Sequence, residues 1–455
     1  MAEQTSQTAV PDPQSHPGAF DTHHPPAPDL IEKCVHCGFC LTTCPTYALW
    51  GEEMDSPRGR IYLMKLGSET NGHVQLDTSF VNHMDNCLGC MACLTACPSG
   101  VQYDKLIEAT RSQIERNYPR PNADRVLRRM IFALFPRPDR LRRLLGPMRI
   151  YQSSGLQSLV RRSRLLKLFP SSVGAMDALM PSPPGKNTSN GVLPESVAAQ
   201  GERRMLVGLL TGCVQSVFFP EVNAATARVL AAEGCEVVIP KDQGCCGALM
   251  VHAGEEKAAL DYARRIIDTF ERAQVDRVVS NAAGCGSNLK DYGYLLREDA
   301  SYAERAKTFS AKCRDISEVL AELEPRAARH PLPLKVAYHD SCHLQHAQAV
   351  RTQPRAVLGR IPGLQIMEPA EAALCCGSAG IYNLVRPGPA RELGERKVQN
   401  VLATNPDIVV SGNPGCLLQL RSGLKASGSG LSAIHFVELV DASIRGLPAQ
   451  SLLER

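Results

Sequence analysis

Residues 34–45 read CVHCGFCLTTCP, and residues 87–98 read CLGCMACLTACP. Both stretches have the pattern C-x-x-C-x-x-C-x-x-x-C-P, which is typical of bacterial ferredoxins that bind two 4Fe–4S clusters. In such proteins three closely spaced thiolates hold one cluster, and the fourth cysteine ligates the other cluster. We therefore predict two clusters with crossed ligand sets: Cys34, Cys37, Cys40 and Cys97 for cluster 1, and Cys87, Cys90, Cys93 and Cys44 for cluster 2.

The alternatives for these cysteines are a zinc ribbon and a disulfide framework. Zinc sites usually pair two C-x-x-C knuckles at a distance and do not place three thiols at two-residue spacing. The chain has 18 cysteines, and its N-terminus lacks the features of a signal peptide. Both observations indicate a reducing compartment in which thiols bind metals. Electron transfer is therefore the predicted chemistry.

Composition places this chemistry in a cytoplasmic protein of several domains. A chain of 455 residues exceeds the size of a single hydrophobic core. Its formal charge of +4 is too small to indicate a nucleic-acid partner. No apolar run has the length of a transmembrane helix, so we expect a cytoplasmic chain, peripheral on the inner face of the membrane. The proline-rich residues 1–29 are expected to form a disordered tail, in which His23 and His24 are more simply solvated than metal-bound.

A second cysteine pattern is duplicated in the C-terminal half. The first copy has Cys213, Cys245, Cys246 and Cys285, and the second has Cys342, Cys375, Cys376 and Cys416. Each copy contains the tripeptide Cys-Cys-Gly. The recurrence of the whole pattern at nearly constant spacing indicates a duplicated domain. Short runs of strand-forming residues precede most of these cysteines, and helical segments separate the runs. We therefore predict two α/β modules with parallel sheets, whose cysteines converge at the carboxyl ends of the strands.

The predicted fold class is thus α+β and multidomain: a mainly helical ferredoxin-like domain followed by two repeated α/β Cys-Cys-Gly domains. The predicted boundaries are 1–29 for the tail, 30–118 for the ferredoxin-like domain, 119–204 for a basic connector and linker, 205–325 for the first module and 326–455 for the second.

The roles of the duplicated cysteines and of the basic connector are open at this point. The cysteines are candidate ligands of one or two further clusters, candidate redox thiols, or packed structural residues. His339, Asp340 and His343 flank Cys342 as a candidate second shell or proton relay, or as satisfied polar groups. Residues 119–170 contain thirteen Arg or Lys against two acidic residues, on helices with apolar stripes. Such helices bind an anionic membrane, or they pack as a connector on the modules or on a partner.

Nucleotide-binding motifs are missing from the sequence. It has no G-x-G-x-x-G after a strand and no phosphate-binding loop, so we expect neither flavin nor NAD in this chain. A chain that carries electrons but takes no hydride implies a separate flavin subunit.

The connecting sequences resemble one family in particular. KCVHCGFCLTTCPTY, DSPRGRIYLMK, NCLGCMACLTACPSGVQY, QGCCGA, LCCGSAGIY and NPGCLLQL are similar to the iron–sulfur subunit of glycolate oxidase (glycolate dehydrogenase). The resemblance covers roughly residues 30–445. It implies two FAD-type flavoprotein partners that oxidise glycolate to glyoxylate, a quinone as acceptor, and no catalytic residue for glycolate in this chain.

The resemblance also leaves alternatives. The Cys-Cys-Gly elements are shared with lactate-utilisation, glycerol-3-phosphate dehydrogenase and heterodisulfide reductase proteins, so D-lactate or glycerol 3-phosphate complexes and a thiol–disulfide catalyst are the rival functions. A membrane scaffold without metal in its modules is a further rival. Relatives of the heterodisulfide reductase type end each module in C-x-x-C, but Ala282 and Asn413 replace the first cysteine of that pair here. Ligation by five thiolates is therefore in doubt.

Overall fold

The computed structural model describes residues 18–69, 74–163, 165–183 and 193–454. Its architecture confirms the predicted fold class: a helical N-terminal domain precedes two α/β modules with parallel sheets. None of the helices in these residues combines the length and the apolar character that a membrane crossing requires.

The ferredoxin-like domain is built from short helices that leave long loops for the cysteines. Its helices are α1 (Pro28–Glu32), α2 (Pro45–Trp50), α3 (Pro57–Ser68), α4 (Thr78–Asn86), α5 (Ala92–Ala96) and α6 (Tyr103–Asn117), with a 3₁₀ turn at Glu53–Asp55. Proline occupies the first helical position of α2 and α3, where its missing N–H removes no hydrogen bond. A small apolar core that includes Met64, Met84, Leu106 and Ile107 holds α3, α4 and α6 together. This domain therefore has some hydrocarbon core of its own beneath the cysteine loops.

The segment before α1 is packed, which differs from the predicted disordered tail. Residues 1–17 lie outside the described residues. Within residues 18–27, which we call the strap, Phe20 packs edge-on against Phe80 with ring centroids 6.0 Å apart. Asp21 accepts hydrogen bonds from Gln113 and Arg116 of α6. These long-range polar contacts hold a proline-rich segment whose composition alone favours disorder.

The two histidines of the strap reach the first module. His24 lies 2.5 Å from Glu256 and 2.6 Å from Glu298, and His23 lies 3.3 Å from Glu256. The strap therefore ties the ferredoxin-like domain to the first module, and its histidines lie against carboxylates where we expected solvation.

The connector crosses from the ferredoxin-like domain to both modules. Its helices are α7 (Asn122–Leu134), α8 (Pro138–Ser153), α9 (Leu156–Arg162) and α10 (Ser171–Ala178), with a 3₁₀ turn at Leu165–Leu168. Ile131 of α7 and Leu141 of α8 are buried against the modules. Other large apolar side chains of this segment stay exposed: Val126, Met130, Leu144, Ile150, Leu156, Leu159, Leu165, Leu168, Phe169 and Val173. One face of the connector thus packs on the modules and the other is bare. The predicted linker lies partly outside the described residues, at 184–192.

The first module contains a five-stranded sheet. Its strands are β1 (Ser196–Val197), β2 (Met205–Leu210), β3 (Cys235–Val238), β4 (Arg277–Ser280) and β5 (Cys313–Asp315), in the order β1-β3-β2-β4-β5. Only the pairing of β1 with β3 is antiparallel. The helices are α11 (Gln215–Phe218), α12 (Pro220–Ala232), α13 (Ala248–Ala253), α14 (Glu256–Arg272), α15 (Ala283–Lys290), α16 (Tyr292–Leu295), α17 (Ala303–Lys312) and α18 (Ile316–Glu322).

The second module repeats this layout without the antiparallel strand. Its strands are β6 (Lys335–His339), β7 (Gln365–Met367), β8 (Ile408–Ser411) and β9 (Ala433–His435), in the all-parallel order β7-β6-β8-β9. A π-helical turn spans His343–Ala347, and the α-helices are α19 (Thr352–Leu358), α20 (Tyr382–Val385), α21 (Pro387–Leu402), α22 (Pro414–Ser427), α23 (Phe436–Arg445) and α24 (Gln450–Leu453).

The two modules pack against each other at equivalent elements. One apolar core contains residues of both sheets, and Arg228 of α12 pairs with Asp441 of α23 at 2.7 and 2.9 Å. The loops after β4 and β8 meet, because Ala283 N–H donates to the carbonyl of Gly412 at 3.2 Å. This arrangement brings the two cysteine sets to neighbouring edges of the sheets.

Candidate metal centres

The cysteines of the ferredoxin-like domain line two adjoining cavities. The first is lined by Cys34, Cys37, Cys40, Cys93 and Cys97. The second is lined by Cys44, Cys87, Cys90 and Cys93. Cys97 thus faces the first string's cavity and Cys44 the second string's cavity, as the crossed ligand sets require. That assignment is still a prediction, which this placement supports. Cys93 lines both cavities, so the two centres are direct neighbours.

The backbone explains how each fourth cysteine leaves its own string. Cys44 is the last extended residue before α2, and Cys97 is the first extended residue after α5. The proline that follows each of them disfavours a helical conformation at the cysteine. The first cavity is thus lined by five soft thiol donors and the second by four, and the four that each predicted ligand set requires fit a 4Fe–4S cluster.

Two buried arginines set the charge around the second cavity. Arg60, which is 1% exposed, lines it and donates to Asp55 at 3.1 Å and to the carbonyl of His83 at 2.6 Å. Arg111 donates to the carbonyls of Cys87 at 2.5 Å and His252 at 2.9 Å. Burial raises the pKa of Cys87, but the charges of Arg60 and Arg111 and a hydrogen bond from Tyr103 outweigh it and hold that pKa below its ordinary value. The two arginines and Tyr103 thus favour the thiolate form of Cys87.

In the first module the four thiols form a line in the order Cys213, Cys245, Cys246, Cys285, and each lies close enough to the next to affect its pKa. Contact with Cys213 and Cys246, together with burial, raises the pKa of Cys245 well above its ordinary value. The glycine after the vicinal pair, Gly247, adopts φ +87°. A buried group of thiols ionises only with a cation to balance it, which is the chemistry of a metal or redox site.

The second module repeats this line and extends it. Cys342 lies 4.0 Å from Cys375 between sulfur atoms, Cys375 contacts Cys376, and Cys376 contacts Cys416. Contact with Cys375 and burial raise the pKa of Cys376 to about 12. Gly377 also adopts φ +87°, and a Cβ there would collide with the backbone of Ala390. The tripeptide therefore needs its glycine for the close approach of α21.

The second quartet adjoins the second cavity of the ferredoxin-like domain. Cys90 packs in one apolar cluster with Cys342 and Cys375. Burial and the neighbouring Cys375 raise the pKa of Cys90 well above its ordinary value. The first cavity, the second cavity and the second quartet therefore follow one another without an intervening layer of protein.

The positions of the missing fifth cysteines face each other. Asn413 accepts a hydrogen bond from Gly284 N–H at 3.3 Å and donates to the Cys416 sulfur at 3.4 Å. Ala282, its counterpart, is buried. The side chains at these positions bridge or fill the junction between the modules, so neither supplies a thiolate.

The three polar residues predicted around Cys342 have different partners in the structure. Asp340 forms a bidentate ion pair with Arg355 at 2.7 and 2.9 Å and is therefore satisfied. His343 lies 3.6 Å from the Cys342 sulfur and edge-on to His252, between the cysteine loops. His339 lies beside Cys376 and Cys416. Cys235 and Cys313, which have no counterpart in the repeat, are buried at the starts of β3 and β5.

Sequence reasoning missed four polar residues around these centres: Arg60, Arg111, Tyr103 and Lys397. Arg60 and Tyr103 stand inside the quoted strings DSPRGRIYLMK and NCLGCMACLTACPSGVQY, so their proximity to the cysteines was the available signal. Lys397 lies in the middle of α21 with no local motif, and only the fold places it beside Cys375 and Cys376.

A helical domain with two cysteine-lined cavities and two modules with buried thiol quartets define an iron–sulfur protein. Comparison with family descriptions agrees: residues 30–101 match the 4Fe-4S dicluster domain, residues 207–290 and 336–421 match the cysteine-rich domain, and residues 123–180 match the linker region of the glycolate oxidase iron-sulfur subunit.

Individual relatives place it more narrowly. The chain is 39% identical over 414 residues to the probable glycolate oxidase iron-sulfur subunit of Bacillus subtilis, covering 90% of this chain and 93% of that protein. It is 37% identical over 423 residues to the glycolate oxidase iron-sulfur subunit of Escherichia coli, covering 92% and 95%. Lactate utilization protein A of an Exiguobacterium species is 27% identical over 240 residues, 52% of this chain and 98% of that protein. The chain belongs to the family of glycolate oxidase iron–sulfur subunits.

Proposed function

We propose that this chain is the electron-transfer subunit of a glycolate dehydrogenase complex. It receives electrons from a flavin subunit that oxidises glycolate to glyoxylate and passes them toward a membrane quinone. The observation that carries the proposal is the shared wall of the two cavities at Cys93, because neighbouring centres allow electrons to pass directly from one to the next.

The division of labour follows from the chemistry. Oxidation of glycolate to glyoxylate releases two electrons and two protons, and a flavin takes both electrons. A 4Fe–4S cluster, when bound, exchanges one electron at a time. The residues of this chain then hold the clusters, exclude water and set the local charge. Around the second cavity, Arg60 and Arg111 supply positive charge, and Tyr103 donates a hydrogen bond to Cys87.

The first cavity is the side at which we place the flavin partner. Cys37 is exposed, and Val35 and Phe39 beside it are 67% and 65% exposed. Exposed aromatic and aliphatic side chains around a redox centre are suited to a partner surface. A flavin subunit docked there would lie next to cluster 1, whereas cluster 2 is buried beneath Tyr382 and the second module.

The bare face of the connector is the side at which we place the membrane. Its exposed apolar side chains alternate with arginines, and an anionic membrane surface attracts that combination. This localisation needs no membrane-spanning helix.

A lactate-oxidising complex is the second candidate, because the chain is similar to lactate utilization protein A over half its length. Substrate choice belongs to the flavin subunits in either case. A thiol–disulfide catalyst is the third candidate, since the thiols of Cys342 and Cys375 are in contact.

One experiment tests these candidates together. The full chain is combined anaerobically with its flavin subunits, mixed with glycolate or D-lactate, and frozen at intervals for EPR. We expect glycolate to reduce both dicluster centres, with a Cys37→Ser variant slower in the first step. Reduction by D-lactate but not by glycolate would show that the complex oxidises lactate. Disulfide turnover by the isolated chain would show that the chain is a thiol–disulfide catalyst.

A further inference from the structure

His339 is a buried imidazole whose ring nitrogens have no oxygen or nitrogen partner among the described residues. It is the last residue of β6, its side chain is 2% exposed, and within the described part of the chain its ring interacts with the thiol of Cys416. A thiol is a weak hydrogen-bonding partner, and native proteins rarely bury a polar side chain without a better one. Such a residue calls for a partner of another kind.

Two thiols lie close to the His339 ring. One ring nitrogen of His339 and the sulfur atoms of Cys376 and Cys416 all lie within 4.8 Å of one another. Ligands of one tetrahedral zinc ion lie roughly 3.3 to 3.8 Å apart, by the metal–ligand distances of such sites. Small side-chain movements therefore bring these three atoms to a common metal.

The first module lacks this imidazole at the equivalent place. Leu210 ends β2 three residues before Cys213, just as His339 ends β6 three residues before Cys342. Leu210 packs in an apolar cluster with Cys246 and Cys285. The line of thiols therefore ends at Cys285 in the first module, whereas it continues from Cys416 to His339 in the second.

A buried lysine marks the same asymmetry. Lys397 is 1% exposed and donates to the carbonyl of Glu371 at 2.5 Å, beside Cys375 and Cys376. Gly377 approaches Ala390 and Gly247 approaches Ala259, so these two alanines are equivalent positions of the two modules. At the same distance along the chain from its alanine, α14 has Ile266 where α21 has Lys397. Burial lowers the pKa of Lys397, and Cys375 and Cys376 act against that lowering, so its ammonium form and the thiolate form of these two cysteines favour each other. Ile266 offers the first quartet no such group.

We propose that His339 is a metal ligand of the second quartet, with Cys376 and Cys416, so that the second module binds a thiophilic metal centre through imidazole and thiolates. The first module offers thiolates only. The metal is zinc or the iron of an iron–sulfur cluster, because both accept this donor set. A hydrogen bond from His339 to the Cys416 sulfur is the competing role, and it requires no metal. The proposal does not depend on the substrate of the complex.

The test uses the full chain, purified anaerobically with and without ¹⁵N-histidine. Iron, zinc and acid-labile sulfide are counted per chain for the wild type, His339→Leu, His339→Cys and the control His330→Gln, which changes an exposed histidine of the second module. If the centre is iron, pulsed EPR reports a nitrogen coupling that changes with ¹⁵N. If it is zinc, zinc-edge X-ray absorption reports one nitrogen among sulfur neighbours.

We expect metal beyond the roughly eight irons of the two dicluster centres, with a nitrogen ligand in the wild type and in His330→Gln. His339→Leu should lose at least half of that additional metal, and His339→Cys should keep more of it without the nitrogen signal. A wild type with no additional metal, or a His339→Leu variant with unchanged metal and nitrogen signal, overturns the proposal.

A His339→Leu protein that also loses the dicluster irons has misfolded, and His339→Cys then decides. Retained metal without nitrogen supports ligation, and equal loss in both variants overturns it. Reduction of the dicluster centres by the flavin subunits is measured on the same samples. A failure of that reduction counts against the proposed function and leaves the assignment of His339 unaffected.

Discussion

Cys44 and Cys97 show how single residues link the two cavities. Each ends its own string yet lines the cavity of the other string. With the predicted crossed ligands, each centre would depend on both halves of the domain. The crossed assignment therefore has consequences that a local assignment lacks.

The first prediction concerns these two residues. Serine is a poorer ligand for iron than cysteine, so Cys97→Ser should alter the EPR signal that Cys37→Ser also alters. Likewise, Cys44→Ser should alter the signal that Cys90→Ser alters. Redox titrations followed by EPR measure this. If Cys97→Ser instead matches Cys90→Ser, the ligands are not crossed.

The second prediction concerns Arg60. A buried positive charge favours the reduced, more negative state of the neighbouring centre. At about 6 Å and an effective dielectric constant of about 20, one unit charge contributes about 3 kcal/mol, or roughly 100 mV for one electron. Arg60→Gln should therefore lower the potential of cluster 2 by roughly this amount. Arg60→Lys is the control, since it keeps the charge, and an equal shift in both variants would contradict an electrostatic role.

At the scale of elements, the sequence predicts the strands of the modules better than the residues around their sites. MLVGLL coincides with β2, and KVAYH coincides with β6, because parallel strands buried on both faces are short apolar runs. The convergence of the quartets follows from the same topology. His339 and Lys397 do not follow from it, because their roles depend on side chains from different elements that meet only in the folded module.

The strap gives a third prediction, which concerns pH. Burial opposes the charge of His24, but Glu256 and Glu298 outweigh it and raise its pKa above the ordinary 6.5. A raised pKa in the folded state stabilises the docked strap fully below 6.5 and loses that stabilisation as pH rises through the raised value. Hydrogen exchange of residues 18–27 should therefore become faster relative to the intrinsic rate as pH rises. His24→Gln should remove this dependence, and a variant that keeps it would assign the effect to another group.

The exposed apolar face of the connector gives a fourth prediction. Leu168 and Phe169 are 81% and 53% exposed, and a bilayer interface would bury both. Burial of a large apolar side chain contributes about 1.5–3 kcal/mol, so Leu168→Asp with Phe169→Asp should weaken binding to anionic vesicles at least about tenfold. Co-sedimentation measures this, and Tyr294→Ser on the first module is the control. Unchanged binding would favour a partner subunit as the occupant of this face.

At the scale of the whole molecule, the sites form an ordered series. Cluster 1 lies next to exposed residues, cluster 2 lies at the junction of the ferredoxin-like domain with the modules, and the second quartet follows at Cys342 and Cys375. Arg111 secures the junction, because it donates to backbone carbonyls on both sides of it. The duplication has thus placed its two quartets unequally, with the second one next to the dicluster centres.

This series predicts where the flavin subunit binds. If electrons arrive at cluster 1, the exposed Phe39 ring lies in that interface, and aromatic residues at the centre of an interface commonly contribute more than 1 kcal/mol. Phe39→Asp should therefore slow glycolate-driven reduction of the clusters at least about tenfold in rapid-freeze EPR, while iron content and cluster potentials stay unchanged. Val126→Asp also replaces an exposed apolar side chain with a carboxylate, but on the connector. It should have no effect in this membrane-free assay. If instead Val126→Asp slows reduction and Phe39→Asp does not, electrons arrive on the connector side, and the direction of transfer through the molecule is reversed.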